Sequence, residues 1–515
     1  MSSCIWLERP AAWRLSALAV LFMLVTAPVW PLICHALFGG GWPEFGGAFW
    51  PAMRNSLEIA IYVAVLALAI GLPVGLVVAL YEFPGRRLFL AAVTIPLLAP
   101  SFLWAIAWSA VAGRLGPAAT NWVNGQLGCC LVFMSSTVPL VLWIVYAATI
   151  SLAGTHVEAA RLAGGEVAVL RYAGRYVAVT AGLAAVLAGI FTLSDPGPGQ
   201  IFGRRTAASE VLTSFSSLYD YRLAAWQCMV LTLAVLAFVA PLAILAAGRL
   251  ASQILARQVR PLRRISVGRF SPFVVAACGI VLLVLFIAPL FGLLLPLRGG
   301  VDLARAWGEV VRTGPNTLLY AVGTGAVAAA LGLLAAICVG RNSRAQAVVL
   351  GACLALFALP PSLGALGIVQ TATSAPPWLD WLARSRMTVC IEMGLRFSPI
   401  ATIIALRSWS SLSSTWTQAA ALHGVPTTKY LARVVVPHML PALAAALLLI
   451  GLLATADVGS VLLLHPPGQS SLPLAIFTVM ANAPESLVAS LCLVYVALAF
   501  GIVSLLWLTP RSARP

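Results

Sequence analysis

The stretch THVEAARLAGGEVAVLRYAGRY (Thr155–Tyr176) places glutamates, arginines and paired glycines inside a chain that is otherwise dominated by apolar residues. A related stretch, TWTQAAALHGVPTTKYLARVVVP (Thr415–Pro437), begins 260 residues later. Each copy opens with a threonine, carries two adjacent alanines four residues further on, and reaches a glycine after nine residues. A polar insert that occurs twice in an apolar chain indicates two related halves with the same polar segment in each.

The composition predicts an all-α polytopic membrane protein. Of the 515 residues, 61% are hydrophobic and only 9% are charged, and the mean hydropathy is +0.99. Soluble domains are about one quarter charged. The net charge of +16 could indicate nucleic-acid binding, but arginine-rich cytoplasmic loops explain it better in a membrane protein. The ten cysteines lack metal-ligand spacing and no His, Asp or Glu cluster suggests catalysis, so we expect no metal, no cofactor and no enzymatic activity.

Twelve apolar runs are long enough to cross about 30 Å of hydrocarbon as helices. They fall near 14–37, 56–80, 88–112, 128–152, 177–195, 223–247, 272–296, 317–340, 347–371, 387–406, 438–463 and 486–508. With the N-terminus inside, the cytoplasmic segments hold 20 basic residues and the outer loops hold 10. This bias predicts that both termini are cytoplasmic.

An internal duplication relates the two halves. NSLEIAI at Asn55 matches NTLLYAV at Asn316, and Pro139 matches Pro399, so the offset stays at 260 or 261. Because each half holds six helices, both enter the membrane in the same direction, which predicts two parallel repeats about a pseudo-two-fold axis along the membrane normal. The predicted units are a first transmembrane domain at 1–248, a basic cytoplasmic linker at 249–271 and a second transmembrane domain at 272–515.

Both inserts are predicted to begin with a capping box. In Thr155-x-x-Glu158 and Thr415-x-x-Gln418, the threonine hydroxyl could accept from the third backbone N–H of the helix while the longer side chain reaches back to the cap. A helix of about nine residues is unstable alone in water and needs a surface to dock on. The inserts are therefore candidates for docking into a cytoplasmic partner.

Glycines are predicted to end both insert helices. Gly164 and Gly424 suit a left-handed C-terminal turn. The small pairs Ala159–Ala160 and Ala419–Ala420 would allow side chains of another protein to approach closely. An amphipathic loop helix without a special role explains either copy alone, but not two matching copies.

The motifs EAARLAGG and QAAALHGVPTTKYLARVVVPHMLP resemble the EAA loop of binding-protein-dependent ABC importer permeases. The second copy keeps the prolines of that loop as Pro437 and Pro441 but has Gln418 in place of the glutamate. The first copy keeps the glutamate but has Val177 and Ala181 where the prolines would fall. In that family the loop forms coupling helices that fit a cleft on each ATPase subunit. The resemblance implies that Glu158–Gly164 and Gln418–Gly424 receive the ATP-driven movement.

The same resemblance implies partners in other chains. A P-loop needs a Gly-Lys-Ser/Thr step, and Lys429, the single lysine, is flanked by Thr428 and Tyr430. We therefore expect two cytoplasmic ATPase subunits and an extracytoplasmic solute-binding protein around a fused permease in the bacterial inner membrane. Fusion in a chain of this length resembles the ferric-iron and thiamine permeases, which favours ferric iron as the solute, with thiamine, a phosphonate or a polyamine as alternatives. A gradient-driven secondary transporter is the alternative from another class.

Four ionisable residues are candidates for the translocation pathway, because charges inside membranes are costly. Asp195 and Asp457 occupy nearly equivalent places past the fifth-helix core of each half, where they could face each other or simply cap a helix end in contact with water. Glu392 and Arg396 are four residues apart on one helix, which predicts a local ion pair.

Overall fold

The computed structural model describes residues 12–38, 43–255, 262–297, 300–374 and 385–508. Helices dominate this part of the chain, as the composition predicts, and the described strands are the two-residue segments Tyr81–Glu82 and Ile265–Ser266, which pair in parallel. The helices up to residue 255 run Ala12–Thr26, Ala27–Val29 (a 3-10 turn), Trp30–Phe38, Phe49–Leu80, Arg86–Leu98, Ser101–Leu115, Pro117–Val123, Gln126–Ile150, Gly154–Ser194, Gly197–Ile201, Ala207–Ser216 and Tyr221–Ile254.

After residue 262 the chain continues with a further succession of long and short helices. They run Gly268–Phe270 (a 3-10 turn), Ser271–Leu282, Leu283–Ile287 (a π-helical turn), Ala288–Leu294, Gly300–Val339, Ser343–Phe357, Pro361–Ser374, Arg386–Ser411, Ser414–Leu422, Thr427–Tyr430, Leu431–Val435 (also π-helical), Val436–Ala456, Val458–Leu464, Leu472–Val479 and Glu485–Leu508. Ten helical segments of the described chain are long and apolar enough to span a membrane, so the protein is a multi-pass membrane protein.

Two further apolar stretches of the described chain are broken pairs of helices rather than continuous ones. Arg86–Leu98 and Ser101–Leu115 meet at 102°, and Ser343–Phe357 meets the helix that begins at Pro361 at 78°. Prolines stand at both breaks, at Pro100 and Pro360, where they lack a backbone N–H and clash with the preceding turn. The expectation of one continuous helix over each of 88–112 and 347–371 was therefore wrong.

The helices on either side of each broken pair run in the same direction. Along Phe49–Leu80, Gly71 lies against Val141 and Gly75 against Val145 of the Gln126–Ile150 helix. Gly323 likewise lies against Cys390 and Gly332 against Ala401 in the later part of the chain. The described residues therefore hold ten candidate spans, or up to twelve if each broken pair counts as one span.

The first span and the Ser271–Leu294 segment each pack against the distant part of the chain. Pro28 lies so close to Gly367 that a Cβ there would overlap the Pro28 carbonyl oxygen. A Cβ at Gly292 would overlap the Ala107 carbonyl oxygen in the same way. In both places an apolar segment rests on the second arm of a broken pair from a distant part of the chain. The contact depends on glycine because any side chain would separate the two backbones.

Several predicted boundaries were wrong. The runs at 177–195 and 317–340 are the later parts of helices that begin at Gly154 and Gly300. The Tyr221–Ile254 helix extends into the predicted linker at 249–271, and helical structure resumes at Gly268. Residues 256–261 of that linker and both chain ends, on which the predicted orientation depends, lie outside the described residues.

Candidate functional site

The first insert forms a short helix that is offset from the membrane span after it. The helix begins at Gly154 with Ala153 at its N-cap, and no side chain caps it. Thr155 therefore lies inside the helix, and the capping box with Glu158 was wrong. The break falls at Gly164 and Gly165, where Gly165 has φ 64° and Gly164 has an extended φ of −163°. The residue with positive φ is thus Gly165, and the prediction of a left-handed turn at Gly164 was wrong by one residue.

The second insert forms the helix Ser414–Leu422. Its N-cap is Ser413, whose hydroxyl accepts from the backbone N–H of Thr415. The box between Thr415 and Gln418 was therefore also wrong, because the preceding serine takes the capping position. Gly424 has φ 64°, which confirms the predicted left-handed turn. The next helix begins at Thr427.

Exposure repeats almost residue for residue between the two inserts. One side chain of each helix is anchored inside, Val157 in the first and Thr417 in the second. The exposed positions also match, and they are Thr155, His156, Glu158, Ala159, Leu162, Ala163 and Gly164 in the first insert and Thr415, Trp416, Gln418, Ala419, Leu422, His423 and Gly424 in the second. The two inserts thus share one pattern of exposed positions, although several of the exposed side chains differ.

Each alanine pair is divided between two environments. Ala159 and Ala419 are exposed, whereas Ala160 and Ala420 pack against the apolar core beneath their own helices. The prediction of a paired small surface therefore holds for the first alanine of each pair only. The second alanine allows the short helix to lie close to the membrane helices that carry it.

Leu162 and Leu422 are the functional candidates that sequence reasoning missed. Leu162 is 91% exposed and Leu422 is 87% exposed, at positions 260 residues apart. A leucine in an apolar chain carries no visible signal by itself. The position of the two leucines in the sequence was the signal that could have identified them. Both precede the helix-ending glycines and lie in segments outside every predicted span.

Different polar groups hold the two inserts. In the first, the Arg161 guanidinium contacts Glu166 at 2.7 Å, and the Tyr81 hydroxyl donates to Glu166 at 2.6 Å. In the second, the hydroxyls of Thr417 and Tyr430 lie 3.0 Å apart. The first insert is thus supported by an ionic network and the second by a neutral hydrogen bond.

Both inserts lie at the same face of the molecule. Near the end of the Tyr221–Ile254 helix, the Gln253 amide donates to the Tyr176 carbonyl oxygen at 2.7 Å, close to the first insert. Ala251 and Leu255 of the same helix end pack against the core that contains Ala420 and Tyr430 of the second insert. One helix end therefore reaches both.

The intramembrane candidates come together in one charge cluster, defined here as Asp195, Glu392, Arg396 and Asp457. Arg396 forms an ion pair and a hydrogen bond with Asp457. The predicted local pair between Glu392 and Arg396 was wrong, because the guanidinium reaches a carboxylate of a different helix. Glu392 and Arg396 still interact electrostatically.

The two aspartates have similar local roles. The Asp195 carboxylate accepts from the backbone N–H of Gly197 at 2.9 Å, and the Asp457 carboxylate accepts from that of Ser460 at 3.2 Å. Asp195 also interacts electrostatically with Asp457 and Arg396. Asp457 is thus the N-cap of the Val458–Leu464 helix, whereas the N-cap of Gly197–Ile201 is Pro196 and Asp195 bonds in the turn that leads into that helix. The helix-cap alternative therefore describes Asp457 only, and both aspartates belong to the shared charge cluster.

Glu392 is the most enclosed member of the charge cluster. Glu392 is only 2% exposed, and within the described structure its Oε2 atom has no hydrogen-bond partner. Its carboxylate lies over Gly364 of the second broken pair, where a Cβ would come within 2.7 Å of Oε1. An enclosed carboxylate oxygen without a partner is costly. Such a group indicates a functional role more strongly than a structural one.

The charge cluster combines three carboxylates with one guanidinium. Among the described residues, no group of three or more His, Cys, Asp or Glu side chains could hold a metal ion. If all four groups are charged, three carboxylates face one guanidinium, so the local field favours cations.

Comparison with known proteins adds no relative. A scan against protein-family models found no match, and a search of curated proteins found no significant match. What the chain does must therefore be argued from its own geometry.

Proposed function

We propose that the chain is the fused permease subunit of an ATP-driven ABC importer. The observation that carries the proposal is the pair of matching inserts, each presenting an exposed leucine at the same face of the molecule. The subunit itself performs no chemistry and alternates the side of the membrane to which its pathway opens. ATP hydrolysis belongs to two partner subunits, and an external binding protein delivers the solute.

Exposed leucines in these loops favour a protein partner. Most exposed apolar side chains of this molecule lie on its spans, where lipid covers them. Leu162 and Leu422 lie beyond the ends of the neighbouring spans, where water would surround them. Burying one leucine is worth about 1.5–3 kcal/mol, and apolar surface outside the membrane commonly marks a binding site. Two equal sites fit two copies of one partner.

The same features support two parallel six-helix repeats. The broken pairs, the parallel helices that flank them and the exposure pattern of the inserts all recur at an offset near 260 residues. We assign residues 1–248 and 272–515 to the two repeats, joined through 249–271 and related by a pseudo-two-fold axis along the membrane normal. Twelve crossings follow if each broken pair counts as one.

The orientation follows from charge. The inserts and the Ile265–Ser266 strand share one face, and the basic segments cluster there in the sequence. The positive-inside rule assigns that face to the cytoplasm. We therefore propose a multi-pass protein of the bacterial inner membrane with both termini cytoplasmic, which places the inserts where ATPase subunits are available.

We assign the charge cluster to the translocation pathway. Its charge also indicates which charge of solute the pathway favours. When all four groups are charged, its three carboxylates and one guanidinium favour a cation, which supports ferric iron as cargo and leaves thiamine and polyamines as alternatives. A phosphonate, which is an anion, would meet unfavourable charge. Uptake by the reconstituted importer of ferric citrate, thiamine, spermidine and methylphosphonate as labelled probes discriminates among them. Methylphosphonate uptake would contradict the assignment.

The test of the importer itself is site-specific cross-linking. A photo-reactive amino acid at position 162 or 422 should capture a P-loop ATPase in native membranes, whereas the same probe at Tyr219, an exposed residue of the opposite face, should not. Absence of an ATPase at both inserts would leave a gradient-driven secondary transporter as the better account. Solute uptake that persists without ATP in sealed vesicles would favour that alternative.

A further inference from the structure

The segment between the two halves is anchored to the first half beside the first insert. Ile265 and Ser266 pair in parallel with Tyr81 and Glu82, which follow directly on the Phe49–Leu80 helix. The backbone N–H of Val267 continues this pairing by donating to the Glu82 carbonyl oxygen at 3.2 Å. A flexible tether has no need of such a contact, so this part of the linker has a defined position.

Arg264 fixes the same contact through its side chain. It donates to the Ala79 carbonyl oxygen and to the Tyr146 hydroxyl, both at 3.2 Å, and lies 3.7 Å from the Glu82 carboxylate. Arg86 reaches the same Glu82 and Tyr146 groups from the other side. One carboxylate and one phenol therefore join the linker to two helices of the first half.

This anchor continues into the first insert. The Tyr81 backbone pairs with the linker, and its hydroxyl donates to Glu166, which in turn holds Arg161 of the insert helix. Apolar contacts follow the same route, because linker and insert side chains pack on one core, with Leu262, Ile265 and Val267 from the linker and Val157 and Ala160 from the insert. The insert and the linker are thus joined through Tyr81.

The second insert has a different support. The position that corresponds to Glu166 is Pro426, and the position that corresponds to Tyr81 is Arg341, at the offset of 260. Arg341 donates to the Leu412 carbonyl oxygen at 2.7 Å, a contact within its own half. Among the described residues, the connection between an insert and Leu262–Val267 is therefore a feature of the first half.

We propose that Leu262–Val267 acts as a strut that positions the first insert and connects it to the Ser271–Leu294 segment. The Ser271–Leu294 segment begins the second half and packs on Ser101–Leu115, the second arm of the broken pair in the first half. Displacement of the first insert therefore reaches both halves through the strut. Arg264 and Tyr81 are positioning residues in this device. The assignment of that displacement to an ATPase rests on the proposed function, whereas the strut itself does not.

The strut is tested by hydrogen exchange on the full-length permease in nanodiscs. Arg264→Gln and the milder Tyr81→Phe should speed exchange of the insert amides 157–163 by about fivefold or more, because local opening becomes easier. Amides 417–423 of the second insert provide the internal reference and should not change. Arg263→Gln is the matched control, since the neighbouring Arg263 is exposed and the charge change is the same. Arg264→Lys should restore part of the protection.

Equal acceleration at both inserts, no acceleration at the first, or the same effect from Arg263→Gln would overturn the strut. Capture of an ATPase by probes at positions 162 and 422 is the separate test of the importer. If hydrogen exchange changes as expected but no ATPase is captured, the strut is supported and the importer proposal is contradicted. If an ATPase is captured but Arg264→Gln leaves hydrogen exchange unchanged, the importer proposal is supported and the strut is contradicted.

Discussion

Arg396 pairs with Asp457, 61 residues further along the chain, although Glu392 lies one turn away on its own helix. Because both partners are largely enclosed, the pair ties two helices together inside the membrane. Removing one partner of such a pair leaves a buried charge without compensation and costs about 3–5 kcal/mol. This contact decides which substitutions of the charge cluster the fold tolerates.

We predict that Asp457→Asn lowers the thermal unfolding midpoint of the purified protein strongly, because the Arg396 guanidinium loses its counter-ion. The double variant Arg396→Gln with Asp457→Asn should recover much of the loss, since no unpaired charge remains. Size-exclusion recovery after heating measures both effects. If the two single effects simply add in the double variant, the ion pair does not stabilise the fold.

Glu392→Gln should leave the unfolding midpoint nearly unchanged, because one of its oxygens has no partner and the amide has the same shape. Uptake of the cationic probe should nevertheless fall about tenfold or more, as expected for an intramembrane carboxylate of the pathway. Glu485→Gln, at an exposed helix start, is the control. Uptake equal to that of the unmodified importer would remove Glu392 from the pathway.

Leu162→Ser together with Leu422→Ser should abolish co-purification of the ATPase subunits while leaving the unfolding midpoint in place. The reason is that both side chains are exposed and contribute to a partner interface rather than to the core. Leu115→Ser, an exposed leucine of the opposite face, serves as control. Retention of the ATPase by the double variant would show that the leucines are not the docking contacts.

Glu158→Lys should uncouple ATP hydrolysis from transport more than Gln418→Lys does. Glu158 is an exposed negative charge of its insert helix, so its replacement by lysine reverses a charge, whereas Gln418 carries no charge to lose. The ratio of ATP hydrolysed to solute imported, compared between the two variants, measures the effect. Equal ratios would mean that the difference between the inserts has no functional weight.

Gly165→Ala should destabilise the first insert by about 1–2 kcal/mol, because a side chain is strained at φ 64°. Gly164→Ala should cost less, since its backbone is extended and its new Cβ would meet only the Ala168 side chain at 3.0 Å. Hydrogen exchange of residues 154–166 compares the two variants. A larger effect at Gly164 would place the turn one residue earlier.

The helical class and the positions of most spans could be predicted, because long apolar runs leave few alternatives in lipid. The breaks were missed although Pro100 and Pro360 stand in the sequence, since average hydropathy does not register a bend. The capping boxes failed because local motifs compete, and Ser413 occupies the cap that Thr415 was expected to take.

The charge cluster was predictable as a set but not as a pairing. All four members were visible as ionisable residues in apolar surroundings, whereas the partner of Arg396 depends on a contact between distant helices. The strut was beyond sequence reasoning for the same reason, because nothing near Arg264 in the sequence points to Tyr81.

The packing of Pro28 against Gly367 has a consequence for biosynthesis. The ribosome makes the first span long before it makes the helix on which that span finally rests. Until that later helix has been made, the first span lies in lipid or against a chaperone and lacks its native packing partner. The beginning of this protein therefore reaches its native position only after about two thirds of the chain has been synthesised.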